Sequence, residues 1–169
     1  MVMIFMLFMG VCGCGARQKA EFALRAELSS VKSAGFSGYK NLICQNTDLF
    51  FTEEVVQLLL QNFSFEIVRC NETKDSARAV VKMTNLDMMP VMWDYNKRIL
   101  GYAVENRNVA EMDLKTVSND ILKELLQSGK YDFITKEVTV EMTYQNHNWE
   151  IAKNDDYIDA VFGGLLSNI

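Results

Sequence analysis

The amino-acid sequence predicts an α+β fold: N-terminal helices, two antiparallel hairpins forming a curved sheet, a helical insertion between the hairpins, and a C-terminal helix. Three observations carry this. Over residues 135–151, Val138, Val140, Met142 and Tyr144 alternate with Glu137, Thr139, Glu141 and Thr143, the period-2 pattern of a strand with one buried and one wet face. Residues 62–86 repeat the design: Phe63, Phe65 and Ile67 are followed, after a polar turn at 71–75, by Ala79, Val81 and Met83. Before, between and after these hairpins, apolar residues recur at helical spacing. A sheet with one apolar face needs a covering layer, and these helices supply it.

Taken in order, the chain opens with residues 1–9, MVMIFMLFM, which are uncharged and nearly all apolar. The run is well short of the ~20 residues that cross a bilayer and has the length of a signal-peptide hydrophobic region. Val11-Cys12-Gly13-Cys14 follows, and it resembles a bacterial lipobox: an aliphatic residue, two small ones, then a cysteine. The resemblance implies that residues 1–14 are a lipoprotein signal peptide, that Cys14 is diacylated (palmitate-type chains) as the mature N-terminus, and that 15–169 is a single α+β domain. Two acyl chains anchor stably where one binds marginally. A signal peptide also needs a basic segment before its apolar run, and none precedes it here, which points to a translation start upstream. The competing reading is a buried N-terminal helix with two incidental cysteines.

Ala20, Ala23, Leu24, Leu28 and Val31 predict an amphipathic helix over 16–33 that Gly35 ends, with a short helix or turn at 36–44 around Tyr39, Leu42 and Ile43. Asp48 or Thr52 caps the next helix, through Val55, Val56, Leu58, Leu59 and Leu60. Pro90 suits a helix start, where its missing N–H would be unpaired anyway, and Met92, Tyr95, Ile99 and Tyr102 follow one face. Leu114, Val117, Ile121, Leu122, Leu125 and Leu126 form another stripe, stopped by Gly129. Asn146-His147-Asn148 is a turn, since Asn tolerates positive φ, and Trp149 and Ile151 begin the return strand. Asp155 or Asp156 caps the last helix, through Ile158, Val161, Phe162 and Leu165; Gly163-Gly164 marks either its end or a close backbone approach.

Composition excludes several functions. The net charge is −5 over 169 residues, with Lys and Arg scattered, so no basic stripe exists to neutralise nucleic-acid phosphates. One Pro and no repeat argue against a second domain. The order of elements resembles the cystatin-like, or nuclear transport factor 2-like, cone. Asn62-Phe-Ser-Phe-Glu-Ile67, Met83-Thr-Asn-Leu-Asp-Met-Met-Pro-Val91, Trp149-Glu-Ile151 and Asp159-Ala-Val-Phe-Gly-Gly-Leu-Leu166 resemble a family of uncharacterised lipoproteins of Gram-positive bacteria over nearly the whole chain. That resemblance implies an extracytoplasmic, membrane-anchored domain and is silent about chemistry.

The candidate pocket is the inside of the cone: Phe63, Phe65, Tyr95, Tyr102, Met142, Tyr144 and Trp149. Its expected work is non-catalytic, either binding a small apolar ligand or docking an envelope partner. The rival is an enzyme like the ketosteroid isomerases that share the fold, with a buried carboxylate such as Asp87 or Asp94 acting beside Tyr95, Tyr102 or Trp93. Both acids also read more simply, Asp87 as a helix cap and Asp94 as a surface residue. A third reading is a homodimer through an open sheet face. His147, the one histidine, falls in a turn and reads as a surface residue rather than a base. Met83, Met88, Met89 and Met92 read as core filling rather than a thioether metal site. The acid pairs Glu53-Glu54 and Asp155-Asp156 complement helix dipoles, and no calcium-loop spacing is present, so neither metal nor cofactor is expected. Cys44 and Cys70 are left open between a disulfide and two separate thiols.

Overall fold

The structure, a computed structural model, describes residues 19–46, 51–106 and 111–168, with the side chains of 34–46, 111–113 and 168 left out. Two helices, α1 (Ala20–Asn46) and α2 (Glu53–Gln61), lead into the first hairpin, β1 (Ser64–Glu72) and β2 (Ser76–Leu86). The helical hairpin α3 (Met88–Glu105) and α4 (Glu111–Gln127) follows. The second hairpin is β3 (Phe133–Gln145) and β4 (Asn148–Ile151), and α5 (Asp155–Val161) with a 3₁₀ turn (Leu166–Asn168) ends the described chain. The fold is α+β, with the insertion between the hairpins as the pattern predicts.

The sheet is antiparallel in the order β1-β2-β3-β4 and does not close, so β1 and β4 are its edges. Leu86 pairs with Phe133, and the ladder runs on to Ser76 opposite Thr143. The α3–α4 insertion therefore leaves and re-enters the sheet at one end. Ala77, Ala79, Val81 and Met83 of β2 and Val138, Val140 and Met142 of β3 are buried on the inner face. Leu24, Leu28, Val55, Val56, Leu59, Tyr157, Val161 and Phe162 from α1, α2 and α5 cover them. The outer face is polar, with Glu66, Lys82 and Glu137 in register and Arg78 bonded to Glu141 at 2.9 Å. That is the one-sided alternation of an antiparallel sheet facing water.

Local rules account for the element ends. Thr52 is the N-cap of α2, its hydroxyl accepting from Val55 N. Asp87 caps α3 through Met89 N, which puts Pro90 among the first residues whose N–H groups have no intrahelical partner. Asn146 and His147 both have positive φ (50° and 65°), the two-residue hairpin turn whose twist matches the strands. Asn148 is already paired with Gln145 and belongs to β4.

Three sequence expectations change. Gly35 does not end a helix: α1 runs unbroken to Asn46 and absorbs the predicted second helix. A mid-helix glycine costs only about 1 kcal/mol relative to alanine, which flanking turns can outweigh. β1 does not alternate throughout, because a bulge at Val68 shifts the register between Ile67 and Arg69. The extra residue leaves Val68 exposed and turns Cys70 inward opposite Ala79. The cap of α5 is Asn154, which accepts from Tyr157 N at 2.9 Å, with Asp155 and Asp156 in the first turn. Asp48 lies outside the described residues.

Two polar features lock the core. Asn85, 1% exposed, donates to Leu59 O and Val161 O and accepts from Leu86 N, so one side chain joins α2, β2 and α5. Gly163 has φ +62°, and a Cβ there would lie 1.8 Å from Leu86 O; its own carbonyl accepts from Met88 N. Close approach and helix end are thus both true of this glycine.

Candidate functional site

Six of the seven aromatic and methionine residues of the expected pocket lie in or against the core, and Tyr102 lies outside it. Phe63, Tyr95, Met142 and Trp149 are buried, and Phe65, Tyr102 and Tyr144 are half-buried. Phe63 stacks on Phe65 with ring centroids 6.2 Å apart, and Tyr144 tilts against Trp149 at 5.2 Å. Tyr95 reaches across the helical hairpin to a hydrogen bond with Ser118. Side chains of α1, α2 and α5 occupy the inner face on which a cone would open. Tyr102 borders the groove between α3 and α4. Cys14 lies outside the described residues, as does the side chain of Cys44. Cys70 is a free, half-buried thiol whose pKa is raised by burial and then by Glu21 and Glu72.

Two acidic clusters survive as chemistry. Asp94 accepts from Lys130 Nζ and from Tyr131 OH, both at 2.7 Å. The Lys130 bond, then the Tyr131 bond, hold its carboxyl below the usual carboxylate range. Tyr131, pushed by burial and then by the Asp94 bond and charge, rises to about 12. A carboxylate held ionised by a lysine is a poor proton acceptor, the opposite of the desolvated base that the enzyme reading requires. Asp87 is occupied as the α3 cap. On the inner face, Asp159 is bonded by Lys136 Nζ and by the backbone and hydroxyl of Ser167. Burial alone would raise its pKa, yet the bonds from Lys136 and Ser167 prevail and lower it. This cluster ties the C-terminal turn to β3. His147 is exposed in its turn, and Met83, Met88 and Met92 are core. Among the described residues no His, Cys, Asp and Glu group has metal-site spacing.

The feature that sequence reading missed is a second apolar face on α3. Met88, Val91, Met92 and Tyr95 bury one side of the helix. Met89, Trp93, Leu100 and Val104 are instead 59%, 76%, 65% and 66% exposed. At 100° per residue these four fall within an arc of about 60°, turned well away from the core-facing side, with exposed Asn96 and Lys97 flanking the gap between Trp93 and Leu100. Asp94, Lys97, Arg98 and Lys130 edge the neighbouring groove, with Arg98 paired to Glu124 at 2.8 Å. Phe133, 58% exposed, stands where the insertion re-enters the sheet. Scattered exposed apolar residues are ordinary, but four aligned on one helix form a patch of the kind that marks an interaction surface. The sequence does carry the signal: Trp93, Leu100 and Val104 are apolar at positions outside the arc that packs the core.

No family model matches the chain, and no curated protein matches it. Among solved structures it is similar to the crystal structure of a candidate lipoprotein (ycdA) from Bacillus subtilis, at 16% identity and a TM-score of 0.47. The match covers 90% of this chain and 50% of that one, so the chain spans about half the length of that protein. No helix among the described residues is long and apolar enough to cross a membrane.

Proposed function

We propose that the protein is a lipid-anchored extracytoplasmic docking domain: Cys14 holds it to the membrane, and the α3 stripe engages an envelope partner. The observation that carries the docking half is the exposed alignment of Met89, Trp93, Leu100 and Val104 beside a filled core. A filled inner face disfavours the small-ligand reading, and a salt-bridged Asp94 disfavours the isomerase-like one. The anchoring half rests on Val11-Cys12-Gly13-Cys14 behind an apolar run.

Each half has its own test. Metabolic labelling with a clickable palmitate analogue should mark the full chain and not Cys14→Ser; equal labelling of both would end the lipoprotein reading. A photo-crosslinking residue placed at Trp93 in cells should give adducts, while the same residue at Lys82 on the polar sheet face should give few. Equal yields at the two sites would remove α3 as the docking face.

A further inference from the structure

The unequal strands of the second hairpin leave part of the sheet uncovered. β3 runs 13 residues, but β4 has only 4 and pairs with it no further back than Met142. Ala152 N still reaches Glu141 O, and there the cover ends. The bonds at this end fix which way each peptide group points. Tyr144 N donates to Asp75 O, just before β2, whereas Glu141 O faces the β4 side. Alternate residues of an antiparallel strand bond to opposite edges, so even-numbered residues face β2 and odd-numbered ones face away. The β2–β3 register is unbroken, which carries the rule to Thr139, Glu137 and Thr135. Their N–H and C=O groups form an open edge about 14 Å long. Among the described residues no backbone group bonds to them from that side.

The other edge of the sheet is blunted. β1 carries the bulge at Val68, and its Glu72 carboxylate accepts from Ala20 N of α1. The open stretch of β3 has no bulge and instead borders a hollow of about 660 Å³. Four acids line that hollow, Glu137, Glu141, Asp156 and Asp159, against two bases, Arg78 and Lys136. Arg78 is paired with Glu141 and Lys136 with Asp159, at 2.5 Å each. Glu137 and Asp156 are left without an ion pair among the described residues. Lys82, opposite Glu137 in the ladder, is also opposite Glu66, so one acid is left over.

An added strand suits both the free backbone and the charge. Its main chain continues the ladder, and Lys or Arg at alternate positions meet the acids. A second copy of β3 would bring the same acidic excess to its own edge and be repelled. We infer that residues 133–141 accept, by strand addition, an extended segment of another protein that carries basic side chains at alternate positions. This site is separate from α3 and does not depend on the docking reading above.

The probe is the acetylated, amidated peptide TKVKVKVT, added to the full-length chain in detergent micelles, with TEVEVEVT as the charge-reversed control. Hydrogen exchange followed by NMR should show the Glu137 and Thr139 N–H groups protected at least tenfold by the lysine peptide. The glutamate peptide at equal concentration should protect neither. Glu137→Lys should raise the dissociation constant of the lysine peptide at least tenfold. Thr139→Pro removes an N–H from the open side only, a position where an edge strand tolerates proline, and should abolish protection of Glu137. Unchanged circular dichroism would show that both variants are folded. Equal protection by the two peptides would overturn the basic partner, and so would undiminished binding to Glu137→Lys. Protection confined to β1, or none at all, would overturn the site. Protection that needs no peptide and grows with protein concentration would put a second copy there instead.

Discussion

His147 bears a cost that glycine would not. At φ 65° its Cβ crowds the backbone, while Asn146 beside it is one of the side chains that tolerate this region. His147→Gly should make the Asn-Gly turn preferred for two-residue hairpins and raise stability by about 0.5 kcal/mol in urea unfolding. A loss of stability would mean that the imidazole makes a contact the turn depends on. Asn85 lies at the other extreme. Asn85→Ala leaves the Leu59 and Val161 carbonyls and the Leu86 N–H unpaired in the core, and should cost about 3 kcal/mol by the same measurement. A cost below about 1 kcal/mol would show that water replaces the amide. Tyr131 gives a spectroscopic marker. Its pKa is raised to about 12, so its neutral form is favoured by folding. The stability it contributes is fully present below the ordinary tyrosine value near 10 and is lost as pH rises through about 12. Phenolate absorbance should therefore include a late step near pH 12 that Tyr131→Phe removes.

Elements were legible where a local rule acts alone. The bounds of β2 follow from alternation between two turn clusters, and Thr52 is a capping residue directly before an apolar helix. Reading failed where a tertiary term outweighs the local one. Gly35 has the chemistry of a stop, yet α1 continues, because ending there would sacrifice turns on both sides for one weak residue. The bulge at Val68 has no sequence marker: a valine suits a strand equally well whether paired or looped out, and only the register against β2 decides. The expected pocket misled for a similar reason. Phe63, Met142 and Trp149 point inward whether the interior is empty or full, and the helices that fill it belong to distant segments. For α3 the pattern was present in duplicate, one apolar arc for the core and one for solvent. Gly101 lies between the two arcs, beside the α3–α4 groove. Gly101→Ala meets open space and should stabilise the chain in urea unfolding by up to about 1 kcal/mol from helix propensity. A destabilisation there would reveal an intramolecular need for the glycine.

At the scale of the whole molecule, the start of α1 and the α3 stripe belong to opposite ends of the sheet. Ala20 N, at the start of α1, is bonded to Glu72 at 2.8 Å, beside the turn that joins β1 to β2. From Ser76 the strand β2 then runs 11 residues, about 35 Å, before Asp87 caps α3 at the far end. Only five residues separate Cys14 from Ala20, so an acylated Cys14 would hold the β1–β2 turn near the bilayer. The helical hairpin would then project away from it. An apolar helix with a tryptophan could otherwise be read as an interfacial helix lying on lipid, and its placement argues against that. The alternatives differ in fluorescence. With Trp149→Phe leaving Trp93 as the reporter, the acylated protein in vesicles should be quenched little by lipids brominated along their acyl chains. Strong quenching would place α3 on the membrane and refute the two-ended arrangement. Weak quenching would leave the stripe facing away from the bilayer, as the docking reading requires.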